Sequence, residues 1–304
     1  MNADHKAGFI ALVGRPNTGK STLINALVGE KIAIISDKPQ TTRSLIRGIV
    51  SKENYQILIV DTPGIHKPKT SLGSRLNELS KEAIEDVDLV AMCFPADQKI
   101  GPGDKFIIDQ IKSSKKPLFA LITKCDLISK NSLLEKIQEV VAVTQISWNE
   151  IIPISCVNKE NLKTLEMKIV EYLPKSPALY PKEIVTDQNF EQRIAELIRE
   201  AALKDLTEEL PHSVAVLVDE IFETDSKSGK ILKIYASLYV ERDSQKSIII
   251  GVKGARLKEI GSEARKQIET IAGQKVFLDL RVKVASEWQS DGKLLSKLGF
   301  DQYN

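Results

Sequence analysis

Eight consecutive residues near the amino terminus have the pattern GxxxxGK[ST] of a phosphate-binding loop. They occupy positions 14–21, between an apolar run at 9–13 that predicts a buried strand and a helical pattern that begins at Thr22. This is the context that the motif requires. Two glycines let the backbone curl so that successive N–H groups point at phosphate oxygens, and the amino end of the following helix favours the same anion. The pattern predicts binding of a nucleoside triphosphate.

The side chains of this loop have separate expected roles. Lys20 supplies a cation to the β- and γ-phosphates, and the Ser21 hydroxyl suits Mg²⁺. Asn17 is either an oxygen ligand for a monovalent cation such as K⁺ or a turn residue after Pro16, and the sequence favours neither. The nucleotide contacts expected from the loop are Gly14, Arg15, Pro16, Asn17, Thr18, Gly19, Lys20, Ser21 and Thr22.

A second motif, Asp61-Thr62-Pro63-Gly64, follows an apolar strand pattern. An Asp at the carboxyl end of a strand can hold the hydration shell of Mg²⁺, and a glycine N–H can reach a γ-phosphate. Between the two motifs, the polar segment 38–43 contains Thr42, the hydroxyl expected to complete the Mg²⁺ coordination. The predicted catalytic residues are Lys20, Thr42, Asp61 and Gly64.

The residue that follows this motif, Ile65, is also an expected nucleotide contact. Isoleucine cannot hydrogen-bond to the attacking water, as a Gln at this position does in Ras-type enzymes. We therefore expect slow hydrolysis unless another group positions the water and offsets the developing charge.

A third motif, Thr123-Lys124-Cys125-Asp126, selects the base. Guanine presents two adjacent donors that one carboxylate accepts, and adenine has no such pair, so Asp126 predicts GTP. The segment Ser155-Cys156-Val157 occupies the place of the guanine loop. Thr123 replaces the usual Asn and Cys156 the usual Ala. These departures bear on guanine affinity rather than on the identity of the base.

Composition limits the class of protein. The chain has 304 residues, 42% of them hydrophobic, which is enough for two ordinary cores. Its amino terminus lacks signal-peptide features and no apolar run has the length of a transmembrane helix, so we expect a cytoplasmic protein whose membrane contact is at most peripheral. Cys93, Cys125 and Cys156 have neither disulfide nor metal-site spacing, which is typical of a reducing compartment.

The order of patterns predicts two domains. Strand patterns near 8–13, 47–51, 55–60, 88–94, 117–122 and 151–154 alternate with helical ones. This is typical of a doubly wound, mainly parallel α/β sheet, with 47–60 as an antiparallel edge hairpin. The proline-rich stretch 174–182 predicts a linker between a nucleotide-binding domain, 1–173, and a smaller α+β domain, 183–304.

The smaller domain has a short apolar helix, a GxxG turn at 251–254 and a basic helix. An amphipathic helix and two strands joined by a turn at 226–229 precede them, and a strand at 276–284 follows. This order resembles a KH domain, whose GxxG loop clamps the backbone of single-stranded RNA. Residues 242–283 carry 10 basic and 5 acidic side chains, as a polyanion site would require. The RNA contacts expected from the resemblance are Gly251, Val252, Lys253, Gly254, Arg256 and Lys258. A glycine-capped helix–turn–helix with solvated charges is the plainer alternative.

Nearly the whole chain resembles the Era family of bacterial ribosome-assembly GTPases. The segments that carry the resemblance are 14–21, 40–43, 61–68, 210–214 and 249–254. The resemblance implies Mg²⁺-dependent GTP hydrolysis, binding to small-subunit (16S) ribosomal RNA near its 3′ end and a role in 30S subunit assembly. It also implies peripheral contact with the inner membrane face, and we expect a monomer.

Two other functions remain open from the sequence. One is a membrane-linked signalling GTPase whose carboxyl-terminal domain binds a protein, and the other is a GTP-binding scaffold with negligible turnover. Salt-dependent RNA binding would separate the first from the Era interpretation, and phosphate release would separate the second.

Overall fold

The computed structural model describes residues 4–36, 38, 42, 45–64, 71–143, 145–204, 206, 213–226 and 229–298. Contacts divide the chain into two compact units. Apart from two short segments, the first extends to Asp187, and the second begins at Gln188.

The first unit contains a six-stranded sheet. Its strands are β1 (Lys6–Val13), β2 (Ile46–Ser51), β3 (Tyr55–Asp61), β4 (Leu89–Pro95), β5 (Leu118–Thr123) and β6 (Glu150–Pro153). They lie in the order β2-β3-β1-β4-β5-β6, and only the β2–β3 pairing in this sheet is antiparallel. The predicted parallel sheet with one edge hairpin is confirmed.

Helices cover both faces of this sheet. They are α1 (Lys20–Val28), α2 (Ser71–Glu85), α3 (Pro102–Ile111), α4 (Lys130–Val141) and α5 (Leu162–Tyr172). One apolar core packs α1 and α5 on one face, and a second packs α2, α3 and α4 on the other. Burial on both faces explains why β4 and β5 are apolar except for the terminal Thr123 of β5. Because β1, β3, β5 and β6 run parallel, the three motifs and the guanine loop follow their carboxyl ends at one edge of the sheet.

The proline-rich stretch 174–182 packs along the first unit. The Ser176 N–H donates to the His5 carbonyl at 3.0 Å, and the Gln56 side-chain oxygen accepts the Tyr180 N–H at 2.9 Å. The segment contains no helix or extended strand, as expected from its prolines. The N–H groups of Ser176, Leu179 and Tyr180 donate hydrogen bonds to residues of the first unit, and the units divide at 187/188, five residues beyond the predicted end of the linker.

The second unit packs helices against a three-stranded sheet. Its elements are α6 (Phe190–Leu203), β7 (Ala215–Ser226), β8 (Gly229–Val240), α7 (Asp243–Ile250), α8 (Ala255–Ala272), β9 (Lys275–Val284) and α9 (Gly292–Lys297). β8 is the central strand, antiparallel to β7 and parallel to β9. The predicted turn at 226–229 includes residues 227 and 228, which lie outside the described part of the chain.

One core joins α6, α8 and a single face of the sheet. It includes Ile198 of α6, Ile234 of β8 and Ile268 of α8. Trp288 is also fully buried, and its Nε1 donates to the Ser213 carbonyl at 2.9 Å. In the part of the chain that the structure describes, no helix combines the length and apolar character needed to cross a membrane.

Candidate nucleotide site and nucleic-acid loop

The phosphate-binding loop has a backbone that depends on particular residues. A Cβ on Gly14 would lie 2.7 Å from Thr18 Oγ1 and 3.1 Å from the Cys93 carbonyl oxygen, so a larger residue would displace the loop. Gly19 has a φ of +89°, which favours glycine. Asn17 has a φ of +62°, a conformation in which asparagine is common. This backbone fits the turn role for Asn17, and the role of its amide oxygen as a cation ligand stays a prediction.

Lys20 is buried at the first position of α1. Its Nζ donates to the carbonyl oxygens of Gly14 at 3.1 Å and Arg15 at 3.0 Å. Burial lowers the pKa of Lys20, and the nearby Asp61 carboxylate opposes this shift. An ammonium that is buried against carbonyls gains further stabilisation from an anion, and a nucleotide phosphate would supply one.

Three oxygen-bearing side chains from separate segments meet beside this loop. Ser21 Oγ lies 2.7 Å from Asp61 Oδ2 and 3.1 Å from Thr42 Oγ1, and Thr42 Oγ1 lies 3.3 Å from Asp61 Oδ2. The residues predicted to act on one Mg²⁺ therefore converge. Thr42 and Lys38 are the described residues of the 38–43 segment.

The state of the Asp61 carboxylate fits a cation site. The side chain is fully buried, and its Oδ1 has no hydrogen-bond partner among the described residues. Burial raises the pKa of Asp61, while Lys20 and the Ser21 and Thr42 hydroxyls oppose the rise. A hard divalent cation prefers such oxygen ligands and would stabilise the charged carboxylate, so the donor set fits Mg²⁺.

The second motif lies against the phosphate-binding loop. A Cβ on Gly64 would lie 2.9 Å from Pro16 N, so only glycine allows this approach. The Thr62 hydroxyl donates to the Leu12 carbonyl of β1 at 2.7 Å and therefore braces the motif. Ile65, the predicted contact that follows Gly64, lies outside the described residues.

The two guanine segments are bonded to each other. Ser155 Oγ donates to Asp126 Oδ1 at 2.6 Å and accepts the Asn158 N–H at 3.1 Å. The Cys125 N–H donates to the Ile154 carbonyl at 3.2 Å. Ser155 thus orients the carboxylate predicted to accept the guanine donors. Asn158 was not anticipated, because a backbone N–H has no signature in the sequence.

The departures from the usual guanine motifs have defined environments. The Thr123 hydroxyl donates to the Thr18 carbonyl at 2.7 Å. Threonine at this position therefore retains one hydrogen bond between the end of β5 and the phosphate-binding loop. Burial raises the pKa of Cys156 to about 11, which keeps it a neutral thiol beside Asp126 at physiological pH. The Val157 side chain is exposed, and Lys124 adopts a φ of +59°.

Replacing Asp126 with asparagine is expected to weaken GTP binding by about 3 kcal/mol, because two hydrogen bonds to a charged acceptor are lost. XTP should bind the variant better than GTP, since xanthine carries an acceptor where guanine has its 2-amino group and an amide can donate to it. Competition among GTP, XTP and ATP measures both effects. Asp109→Asn, on an exposed carboxylate of α3, is the control. Unchanged guanine preference in the Asp126 variant would exclude the assigned role.

The Arg15 side chain contacts α3, and the predicted contact of Arg15 with the nucleotide stays a prediction. Its Nε donates to Asp104 Oδ1 of α3 at 2.8 Å. The guanidinium is therefore engaged outside the loop, and the main chain of Arg15 is what remains for the phosphates.

The GxxG turn between α7 and α8 contains two glycines with different constraints. Both have positive φ angles, +70° at Gly251 and +78° at Gly254. A Cβ on Gly251 would lie 2.7 Å from Arg256 Cβ, whereas a Cβ on Gly254 would have no heavy atom within 4 Å. Gly251 is thus required by packing inside the domain. Gly254 leaves open space in front of the amino end of the 18-residue helix α8, where N–H groups favour an anion.

The predicted RNA contacts around this turn separate into two groups. Lys253 and Lys258 are exposed, and the Val252 side chain is 83% exposed. Arg256 is different, because its guanidinium donates to the Lys204 carbonyl, after the end of α6, at 2.6 Å. This bond ties the turn to α6 and uses one of the five guanidinium N–H donors, so a contact of Arg256 with RNA phosphates stays a prediction.

Comparison with known proteins covers both units. A family model described as a 50S ribosome-binding GTPase matches residues 9–124, and a KH domain model matches 209–289. GTPase Era of Mycolicibacterium smegmatis is 50% identical over 301 residues, which cover 98% of this chain and 99% of that protein. GTPase Era of a Nocardioides species is 49% identical over 302 residues, with coverages of 97% and 96%.

Two solved structures match over 98% of this chain and 100% of their own, each with a TM-score of 0.92. Era in complex with MgGDPNP and nucleotides 1506–1542 of 16S ribosomal RNA is 38% identical. An Aquifex aeolicus Era variant bound to GDP·AlF4⁻ is 37% identical. The predicted P-loop GTPase domain followed by a KH domain is confirmed, and the chain belongs to the Era family of GTPases.

Proposed function

We propose that this GTPase uses Mg²⁺ to bind and hydrolyse GTP in its first unit and binds small-subunit ribosomal RNA near the 3′ end with its KH domain. Through this pair of activities it assists 30S subunit assembly, with the nucleotide state controlling RNA affinity. The observation that carries the proposal is the open GxxG turn on a chain whose phosphate, Mg²⁺ and guanine motifs lie at one edge of the first sheet.

The charge and shape of the turn support RNA as its ligand. Gly254 leaves room for a backbone at the amino end of α8, and exposed Lys253 and Lys258 lie on either side of it along the chain. A sugar-phosphate backbone has the required negative charge and narrow profile. The relative solved with 16S ribosomal RNA covers the KH domain as well as the GTPase domain, which favours the small subunit over the 50S name of the broader family model.

The residues of the nucleotide site divide the chemical work. Ser21, Thr42 and Asp61 would hold Mg²⁺, which neutralises charge on the β- and γ-phosphates. Lys20 binds the same phosphates, and the Gly64 N–H bonds to the γ-phosphate. Asp126 orients the base. Phosphate loss therefore depends on positioning and electrostatics rather than on a protein nucleophile.

Basal hydrolysis is expected to be slow, and faster in K⁺ than in Na⁺. None of the assigned residues positions the attacking water, and we assign the side-chain oxygen of Asn17 to a monovalent cation near the phosphates. We expect stimulation on the order of tenfold, equivalent to ~1.4 kcal/mol of barrier. Asn17→Gly preserves the positive φ and removes the oxygen, so it should abolish the preference for K⁺. Phosphate release at matched ionic strength measures this, and equal rates in the two salts would leave Asn17 as a turn residue only.

Photocrosslinking tests the proposed function. The intact protein is loaded with GDPNP or GDP and irradiated with RNA from the 3′ end of 16S ribosomal RNA, and the crosslinked peptides are identified. We expect crosslinks within 251–258, stronger with GDPNP. No crosslink above that of an unrelated RNA would contradict the proposal and favour a carboxyl-terminal domain that binds protein.

The proposal includes a cytoplasmic monomer that contacts the inner membrane face peripherally. Family resemblance supports this part. Light scattering tests the monomer, and cosedimentation with anionic vesicles tests the membrane contact.

A further inference from the structure

We propose that Arg15 is a positioning residue for nucleotide phosphates that acts through an ion pair with the buried Asp104, without touching the nucleotide. Its Nε lies 2.8 Å from Asp104 Oδ1, and the Asp104 side chain is 1% exposed. A second donor, Nη2, lies 3.2 Å from Gln98 Oε1. The guanidinium is therefore held in one orientation by two acceptors outside the loop.

The main chain of Arg15 is the part that the ion pair positions. Its carbonyl oxygen accepts hydrogen bonds from Lys20 Nζ at 3.0 Å and Thr18 Oγ1 at 3.0 Å. Arg15 thus contacts the Lys20 ammonium through its carbonyl oxygen, and it ties the loop to α3 through its side chain. A shift of the Arg15 backbone would move the support of Lys20.

The start of α3 is built around this side chain. Asp104 Oδ2 accepts the Gly101 N–H at 2.8 Å, which fixes the carboxylate. A Cβ on Gly103 would lie 2.6 Å from Arg15 Cδ, so glycine is needed for the guanidinium to reach Asp104. These contacts specify one position for the arginine, as expected of a positioning element rather than of an exposed ion pair.

The segment that receives Arg15 is also held from α4. Lys136, a buried lysine, donates from Nζ to the Gln98 carbonyl at 2.7 Å and pairs with Glu139 Oε2 at 2.8 Å. Glu139 Oε1 accepts the Ile100 N–H at 2.8 Å. The segment 97–101 is therefore bonded both to Arg15 of the phosphate-binding loop and to α4, the helix that follows the guanine motif 123–126.

The test separates a positioning role from a general loss of structure. Removing Arg15 alone would leave a buried carboxylate unpaired, which can destabilise the domain by itself. The variants are therefore Arg15→Gln with Asp104→Asn, which leaves a neutral pair, and Arg15→Lys, which keeps the charge but loses the two-acceptor geometry. Arg47→Gln removes a second short Arg–Asp pair among the described residues of this unit, with Asp187 at 2.6 Å, and is the matched control.

The measurements are the dissociation rate of GDP, the inhibition constant of guanosine and the thermal midpoint of each protein. We expect GDP to leave the double variant about tenfold faster. Guanosine, which lacks phosphates, should bind as it does to the wild type, and Arg15→Lys should fall between. The control should retain wild-type GDP dissociation. GDP dissociation unchanged in the double variant, or equal weakening of GDP and guanosine, would overturn the proposal.

Discussion

Lys20→Ala is expected to abolish GTP binding while the GTPase domain stays folded. The ammonium is buried beneath the loop and contacts two loop carbonyls, so its loss removes the cation from a site shielded from water. Truncating one partner of a buried, hydrogen-bonded charge pair costs about 2–5 kcal/mol or more. Equilibrium binding of a fluorescent GTP analogue measures the loss, and circular dichroism reports the fold.

The chain offers a matched control for this variant. Lys6 Nζ also donates to two backbone carbonyls, those of Val170 at 2.8 Å and Glu171 at 3.0 Å, near the end of α5. Lys6→Ala should therefore lower thermal stability without changing nucleotide affinity. GTP binding by Lys20→Ala within threefold of the wild type, roughly 0.6 kcal/mol, would exclude Lys20 as the phosphate cation.

Gly254→Asp is expected to abolish binding of single-stranded RNA without unfolding the KH domain. The new side chain would enter the open space in front of α8 and place a negative charge where a phosphate would lie. Like charges held together at an interface cost several kcal/mol, so affinity should fall at least a hundredfold. The domain should remain folded, because the carboxylate meets no protein atom and Asp is favourable before a helix. An RNA titration of the full chain measures the effect.

Gly273 provides the control for backbone strain. It has a φ of +65°, follows α8 at its other end, and a Cβ there would also meet no heavy atom within 4 Å. Gly273→Asp therefore imposes the same backbone strain as Gly254→Asp, about 1 kcal/mol. The new carboxylate, however, lies at the opposite end of α8 from the GxxG turn. RNA binding lost equally in both variants would show that strain, not phosphate repulsion, is responsible.

Most of the fold could be predicted from the sequence, because strands, helices and turns leave local patterns of apolar and polar residues. Apolar runs flanked by polar turns marked the six strands of the first unit to within two residues. Ser21 and Asp61 meet, although 40 positions separate them, because the parallel strands β1 and β3 end at one edge of the sheet. Thr42 joins them because β2 is antiparallel and therefore begins at that edge, where Ile46 pairs with Asp61.

Features that depend on distant partners could not be predicted in the same way. Arg15 and Arg256 were both assigned to ligands from their neighbourhoods in the chain, and each contacts a residue more than 50 positions away, Asp104 and Lys204. The sequence around an arginine beside a binding motif does not show whether its side chain contacts a phosphate or a protein oxygen. Trp288 was missed because it lies in one short turn, where no periodicity indicates burial.

Coupling between GTP and ribosomal RNA is the central claim, and an RNA titration at two nucleotide states tests it most directly. The full chain, loaded with GDPNP or GDP, is titrated with nucleotides 1506–1542 of 16S ribosomal RNA, the fragment bound by the solved Era relative, and with a scrambled RNA of the same length. We predict binding about tenfold tighter with GDPNP than with GDP, within the usual range of allosteric coupling, and weak binding of the scrambled RNA. Equal affinity for the 16S fragment with GDPNP and with GDP would contradict the coupling, and equal affinity for the fragment and the scrambled RNA would contradict the assigned ligand.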